Sequence, residues 1–271
     1  MRRISWYIGI SLYSFVMIFP FLWMISTALK PANEIFSLTP SFIPKNITFE
    51  SFIKVWQMES LRTYVWNSLV VAVATTAISV FLSSLAGYGF SRFRFRGRNW
   101  LLLGFLCAQM IPGVILLMPM FGMMTKLQLL DSHLGLIIAN TTFTLPYCTW
   151  IMTAFFKGIP KELEEAAMMD GATRWQAFTK VILPLAVPGI ISTSIFSFIM
   201  SWDEFLYALT LTRSEDMRTL PYGLYSFMSQ YGIDWNSLMA ASILAILPPL
   251  LLCVVLQKYF IKGMLAGAVN K

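Results

Sequence analysis

The sequence predicts an all-α membrane protein with six transmembrane helices and both termini in the cytoplasm. Three observations lead there. Only 12% of the 271 residues are charged and 57% are hydrophobic, about half the ~25% charge of a soluble domain. The charges leave six long uncharged windows, at 4–29, 63–91, 99–125, 132–156, 181–202 and 235–257. The 20 Lys and Arg residues are distributed unevenly between those windows. This composition excludes a disordered chain and argues against a soluble enzyme.

Each window is long enough. A helix rises ~1.5 Å per residue, so ~20 residues cross a ~30 Å hydrocarbon core. The shortest window has 22 residues. The first window follows Arg2 and Arg3, as a signal peptide would. A signal's apolar core is only ~7–15 residues, so the longer run is read as a retained helix. Segment 219–233 is short and holds Pro221, Gly223 and Gly232; it is read as a connection.

Orientation follows from the cations. With the N-terminus inside, thirteen Lys and Arg fall on inside segments and seven on outside segments, as the positive-inside rule requires. The run Arg92, Arg94, Arg96, Arg98 closes the second window. It is read as a topology signal in contact with lipid headgroups, not as a nucleic-acid patch.

Cys107, Cys148 and Cys253 all fall inside windows and read as packing residues. His133 is the only histidine. No metal site or catalytic constellation is expected.

The outside segment from about 30 to 62 is rich in proline. It then carries Phe49, Phe52, Ile53 and Trp56 at helical spacing, which predicts a short amphipathic surface helix. Asp203 and Glu204, at the end of the fifth window, are read as carboxylates solvated where the helix leaves the membrane. Pro112-Gly113 and Pro119, Pro146, and Pro248-Pro249 predict kinks in the third, fourth and sixth spans. Gln109, Asn140, Thr141 and Thr142 are candidates to line a path, and suit interhelical hydrogen bonds equally well.

The inside loop 157–182 carries the most specific signal. Pro160 suits a first helical turn, and Glu162, Glu164 and Glu165 complement the helix dipole. Leu163, Ala166, Ala167 and Asp170 share one nearly flat face. Gly171 sits where a helix end needs a left-handed residue. Thr173 and Gln176 form a candidate capping box for a second short helix. The loop is thus two helices about a glycine corner.

Glu165-Ala166-Ala167, Asp170-Gly171-Ala172, Phe178 and Leu183-Pro184 resemble the EAA loop of bacterial ABC-importer permeases. The run Ser91–Gly97, Trp202-Asp203-Glu204-Phe205, Thr219-Leu220-Pro221 and the tail from Tyr259 to Val269 resemble carbohydrate permeases, in particular the smaller subunit of maltose-type importers. Val181 departs from the family's usual isoleucine. The resemblance implies a type I importer permease fold, one transmembrane permease domain over 1–271, and a cytoplasmic tail at 258–271. It implies that Glu165, Ala166, Ala167, Met168, Met169, Asp170 and Gly171 dock on a cytoplasmic ATPase subunit. Lys262, Gly263, Ala266 and Gly267 would be tail contacts with that ATPase. It further implies a second permease chain, two ATPase copies that hold ATP and Mg, and an extracytoplasmic solute-binding protein, all at the bacterial inner membrane. This chain would bind no cofactor itself.

The substrate class implied is a sugar, oligosaccharide or polyol, with glycerol phosphate esters as the alternative. No G-x-x-x-x-G-K-[ST] loop is present, so the chain supplies no phosphate-binding loop of that kind. A stand-alone transporter driven by an ion gradient would need intramembrane acid or base residues, and the windows contain none but His133 at a span end. A non-transporting membrane scaffold would explain the docking loop but not the kinked, uncharged core.

Overall fold

The computed structural model describes residues 2–37, 39, 41–229 and 232–268, without the side chains of 2–5, 229 and 258–268. Helices α1 (Arg2–Ala28), α2 (Ala32–Ile35), α3 (Glu50–Gln57) and α4 (Glu59–Arg92) come first. Helices α5 (Arg98–Gln109), α6 (Gly113–Lys126) and α7 (His133–Gly158) follow. Then come α8 (Glu162–Met169), α9 (Arg174–Ala177), a π-helical turn (Phe178–Ile182), α10 (Leu183–Leu185) and α11 (Val187–Trp202). The chain closes with α12 (Leu206–Leu211), a 3₁₀ turn (Glu215–Met217), α13 (Leu220–Ser226), a two-stranded ribbon β1 (Met228–Ser229) and β2 (Gly232–Ile233), and α14 (Trp235–Ala268).

The centre is α4 against α7, flanked by α11; α14 packs on α11, and α1 packs on α14. The central pair runs parallel. Ser79 faces Thr144, Gly87 faces Met152 and Arg92 reaches Phe156. Both indices rise together, so α5 and α6 must carry the chain back along the bundle between them. Small residues permit the close approach. A Cβ on Gly87 would lie 2.8 Å from Met152 Cβ and 2.9 Å from the Thr153 nitrogen. A Cβ on Gly189 would lie 2.5 Å from Phe155 Cγ, where α11 meets α7. The buried hydroxyls of Ser79 and Thr144 bond to each other at 2.8 Å. Membrane helices lack a strong hydrophobic drive to associate, so small residues and interhelical hydrogen bonds carry the contact.

Three helices are long and apolar enough to cross a membrane: 6–28 of α1, α4, and 235–257 of α14. Two further windows are broken in the structure. Helices α5 and α6 meet at 100°, and the segment 174–185 meets α11 at 72°. Counting each bent pair as one span gives five. The 26-residue α7 fills the remaining window; Asn140, Thr141, Thr142, Thr144, Thr149 and Thr153 dilute its apolar character. Bent pairs therefore fill two of the six windows, and continuous helices fill the other four.

The breaks have local causes. Pro112 removes a donor and disfavours helical geometry at Ile111, so α5 stops and α6 restarts at Gly113. The second break, at Ala186, lies between Pro184 and Pro188 and was not among the expected kinks. Pro119, Pro146, Pro248 and Pro249 instead sit inside continuous helices.

One end of the bundle is capped by the chain after α11. Asn67 donates to the carbonyls of Asp216 and Arg218 at 2.7 and 2.8 Å. The Leu220 N–H donates to Ser68 Oγ at 2.8 Å, and Tyr64 bonds Glu215. Asp131 Oδ1 accepts from the Arg213 and Ser214 N–H groups at 2.8 and 3.0 Å. These bonds hold its carboxyl below the usual range. Glu204 is not simply solvated: it accepts from the Tyr207 and Ala208 N–H groups and so caps α12. Asp203 does remain exposed.

The surface helix forms as α3, but its expected apolar face is mostly open. Phe49, Ile53 and Trp56 are exposed, while Ser51 and Val55 are buried. An ion pair from Lys54 to Asp234, 2.7 Å, ties it to the start of α14. Cys148 is buried, Cys253 half-buried and Cys107 exposed; none is in a disulfide.

Helices α1 and α14 meet at this same capped end, where Asn236 donates to the Lys30 carbonyl at 2.5 Å. Each then runs away from it. The start of α1 and the far end of α14 therefore lie at the opposite end of the bundle, with α8.

Gly87 tests the packing of the central pair. Gly87→Leu is expected to destabilise by about 1–3 kcal/mol or more through overpacking. Gly89→Ala, with nothing within 4 Å of its Cβ, is expected to be neutral or slightly stabilising. Melting curves of both variants in one mild detergent check the contrast.

Candidate functional site

The glycine corner is built as its residues predict. Helix α8 starts with Glu162, Glu164 and Glu165 in its first turn. Its end is a Schellman motif. The Ala172 N–H bonds the Ala167 carbonyl at 3.0 Å, and the Gly171 N–H bonds the Met168 carbonyl at 3.1 Å. Gly171 takes φ +89°, where a side chain would be strained. Two residues on, Thr173 and Gln176 form a full capping box. The Thr173 N–H donates to Gln176 Oε1 at 2.8 Å, and the Gln176 N–H donates to Thr173 Oγ1 at 3.3 Å. Two helix ends thus satisfy their backbone groups between Ala167 and Gln176, which fixes the corner's shape.

The corner's faces differ from the expectation in one respect. Leu163, Ala166 and Asp170 are exposed, with Glu165 beside them, but Ala167 and Met168 are half-buried. Met169 projects instead, at 89% exposure. The outward surface is therefore a shallow alanine strip beside one long, polarisable side chain. Methionine adapts its shape to a partner at low cost.

Glu164 points inward, and the sequence reading missed its role. It is buried and accepts from Arg92 Nε at 2.9 Å and from the Tyr88 hydroxyl at 2.5 Å. The side chains of Arg92 and Glu164 are only 6% and 7% exposed. Arg92 is therefore not a headgroup contact. Its Nη1 and Nη2 donate to the Phe156 and Ile159 carbonyls at 2.9 and 3.0 Å. One guanidinium thus joins the end of α4, the last turn of α7 and the first turn of α8. No short-range pattern reveals this, since 72 residues separate the partners.

Aromatic rings complete the seat. Phe178 packs on Tyr88 at 4.5 Å between ring centres and on Phe156 at 6.1 Å. Phe178, Ile182 and Ala186 are buried with Tyr88, Met152 and Phe156. The π-helical turn falls inside this cluster and buries Phe178 and Ile182 in it.

The path candidates do not share a surface. Gln109 Nε2 donates to the Phe143 carbonyl at 2.7 Å and ties α5 to α7. Asn140 is buried. Thr142 is exposed and bonds the Ile138 carbonyl. The Thr141 hydroxyl is buried without a partner. The tail positions Lys262, Gly263, Ala266 and Gly267 have side chains outside the described residues. Among the described residues, no group of three or more His, Cys, Asp or Glu is arranged to hold a metal.

A bundle of membrane-length helices that presents a rigid helical corner beyond its end defines the permease class of transport protein. The chain belongs to the family described as the binding-protein-dependent transport system inner membrane component, which matches residues 79–266. It is thus a multi-pass inner-membrane transport component and not an enzyme. It is 39% identical over 254 residues to the diacetylchitobiose uptake system permease DasC of Streptomyces coelicolor, covering 94% of this chain and 92% of that one. It is 35% identical to the trehalose/maltose transport system permease MalG of Thermococcus litoralis, covering 100% and 98%. The fold matches a chain of a bacterial ABC transporter that imports the acidic polysaccharide alginate, with TM-score 0.82, 22% identity and 95% of each chain covered. A chain of the MetNI methionine transporter matches with TM-score 0.63 and 18% identity, over 76% of this chain and 97% of that one.

The buried pair gives a sharp contrast between adjacent glutamates. Glu164→Ala leaves Arg92 unpaired and is expected to cost about 3–5 kcal/mol. Glu165→Ala, on the exposed side, is expected to change stability by less than about 0.5 kcal/mol. Melting temperatures of the two purified variants decide it.

Proposed function

We propose that this chain is one of two permease subunits of an ATP-driven importer for an oligosaccharide or related sugar. The observation that carries the reading is the glycine corner, rigid in its backbone and open on its outer face. Such a surface suits docking by another protein. In this reading Glu165, Ala166, Met169, Asp170 and Gly171 meet the cytoplasmic ATPase, with Ala167 and Met168 supporting them from the half-buried side. The ATPase pair holds ATP and Mg and pulls on the corner as it closes. The tail beyond 258 adds a second contact.

Both chain ends and the corner lie in the cytoplasm, and the capped end faces outward. The arrangement of α1, α14 and α8 at one end supports this, together with the cation distribution. Six crossings follow if α5–α6 and 174–202 each make one and α7 makes another. The outer layer, with exposed Phe49 just before α3 and exposed Ile53 and Trp56 on it, then meets an extracytoplasmic binding protein. A solved relative supports that partner, being an alginate transporter in complex with an alginate-pentasaccharide-bound periplasmic protein. The names of DasC, MalG and an arabinooligosaccharide permease from Halalkalibacterium halodurans support an oligosaccharide substrate.

Substitution on the outward face tests docking apart from folding. Gly171→Asp strains the left-handed corner and adds a charge to it. It is expected to leave membrane insertion and abundance near normal while reducing substrate uptake at least tenfold. Ala166→Asp, which strains nothing, is expected to do the same. Normal uptake by both variants at equal abundance, measured with labelled oligosaccharide in cells, would overturn the docking role.

A further inference from the structure

A basic cleft lies beside the corner, and the transport role does not use it. It measures about 400 Å³ and is lined by Ser91, Arg92, Arg94, Arg98, Lys157, Ile159, Pro160, Lys161 and Glu162. These come from the ends of α4 and α7 and the starts of α5 and α8, so four chain segments converge on it. Arg92 is turned inward and neutralised by Glu164. Glu162 is the one other carboxylate on the lining. Among the described residues, Arg94, Arg98, Lys157 and Lys161 have no carboxylate within ion-pair distance. Arg98 makes only long bonds, to Asn99 Oδ1 and the Phe93 carbonyl, both 3.4 Å. Four uncommitted cations face one carboxylate.

The position of the cleft selects among anions. It opens where two membrane-length helices end. Beside it, α5 presents Trp100, Leu101 and Leu103 at 78%, 52% and 49% exposure. A tryptophan in the first turn of a helix followed by exposed leucines is the pattern of a membrane interface. Guanidinium and ammonium groups that converge there fit a phosphodiester with several acceptor oxygens. A soluble anion would gain nothing from the apolar flank, whereas acyl chains would lie along it.

We propose that this cleft binds the headgroup phosphate of an anionic phospholipid, with its acyl chains along α5. The site adjoins the Arg92–Glu164 pair, so the lipid would occupy the place where the corner joins the bundle. The proposal rests on the reading that this end meets a leaflet surface. It does not depend on which leaflet, because a nanodisc presents the same lipid on both sides.

The test uses the assembled transporter, purified with its partner subunits and placed in nanodiscs. One set contains phosphatidylglycerol in phosphatidylcholine and the other phosphatidylcholine alone. The variant is Arg94→Gln/Arg98→Gln/Lys157→Gln. The control is Arg96→Gln, an exposed arginine that is not on the lining. Native mass spectrometry should show phosphatidylglycerol retained by the wild type and the control. The triple variant should bind it about ten- to a hundredfold more weakly. Equal retention by variant and wild type would overturn the proposal. So would displacement of the lipid by millimolar inorganic phosphate, which would make the cleft a soluble-anion site. Loss of the ATPase from the triple variant, with lipid retention unchanged, would assign the cations to ATPase docking instead. A cysteine label at Met169→Cys in sealed vesicles reports separately whether this end is cytoplasmic.

Discussion

The bond network of Arg92 is the constraint on which the α8 end of the bundle depends. Its guanidinium has left water almost entirely, and so has the Glu164 carboxylate. Each desolvated charge is costly alone, so each requires the other. Arg92 also donates to the Phe156 and Ile159 carbonyls at the end of α7, the first of which otherwise accepts only a 3.3 Å bond from the Ile159 N–H. A neutral side chain in its place would leave the buried carboxylate without its countercharge, held by the Tyr88 hydroxyl alone. The pair is therefore better understood as fixing where α8 sits than as adding net stability. Tyr88 and Phe178 exclude water around it, which strengthens the attraction.

That joint has meaning only because α4 and α7 are held in one register. Gly87 sits about one and a half turns before Arg92, and its lack of a side chain lets α7 approach so that Phe156 and Ile159 come within reach. The Ser79–Thr144 bond, two turns higher, fixes the same register by a different means. A shift of one residue between the helices would lose the hydroxyl bond, the glycine contact and the guanidinium's carbonyls together. At the other end, Asn67, Ser68 and Asp131 hold the chain after α11 through bonds to backbone. The two ends are thus secured by unlike chemistry, a buried ion pair at one and, at the other, bonds to backbone beside ion pairs that stay open to solvent.

Much of this was legible in the sequence where the cause is local. Charge-free windows marked the long helices because lipid penalises charge wherever it falls in a span. Gly171 and the Thr173–Gln176 pair marked the corner because capping chemistry acts over three or four residues. The failures arose where the outcome depends on distant partners. Glu164 was indistinguishable from Glu162 and Glu165 as a first-turn carboxylate until Arg92, far away in the chain, was placed beside it. Glu204 reads as solvated in the sequence because its acceptor role depends on α12 turning back over it. The prolines show a related dependence. Pro112 ends its helix, whereas Pro146 and Pro248-Pro249 lie within continuous helices. At Ala186 two flanking prolines and a π turn combine into a bend that neither proline predicts alone.

The corner and its joint differ in how they resist displacement. Inside the corner, the Schellman motif and the capping box close on themselves, so its shape does not rely on the rest of the bundle. The joint is polar and directional at Arg92 but apolar and slippery at Phe178, Ile182 and Ala186. A force on α8 would be resisted first by the ion pair, because charged hydrogen bonds lose energy steeply with distance and angle. The rings can slide over one another at smaller cost. In the importer reading, a pull on Met169 and Ala166 would therefore reach the bundle through Arg92, at the junction of α4 and α7. The bend at Ala186 would absorb the remaining rotation, since the backbone there is already interrupted. The core seam would move as one body, because close packing leaves it few intermediate arrangements.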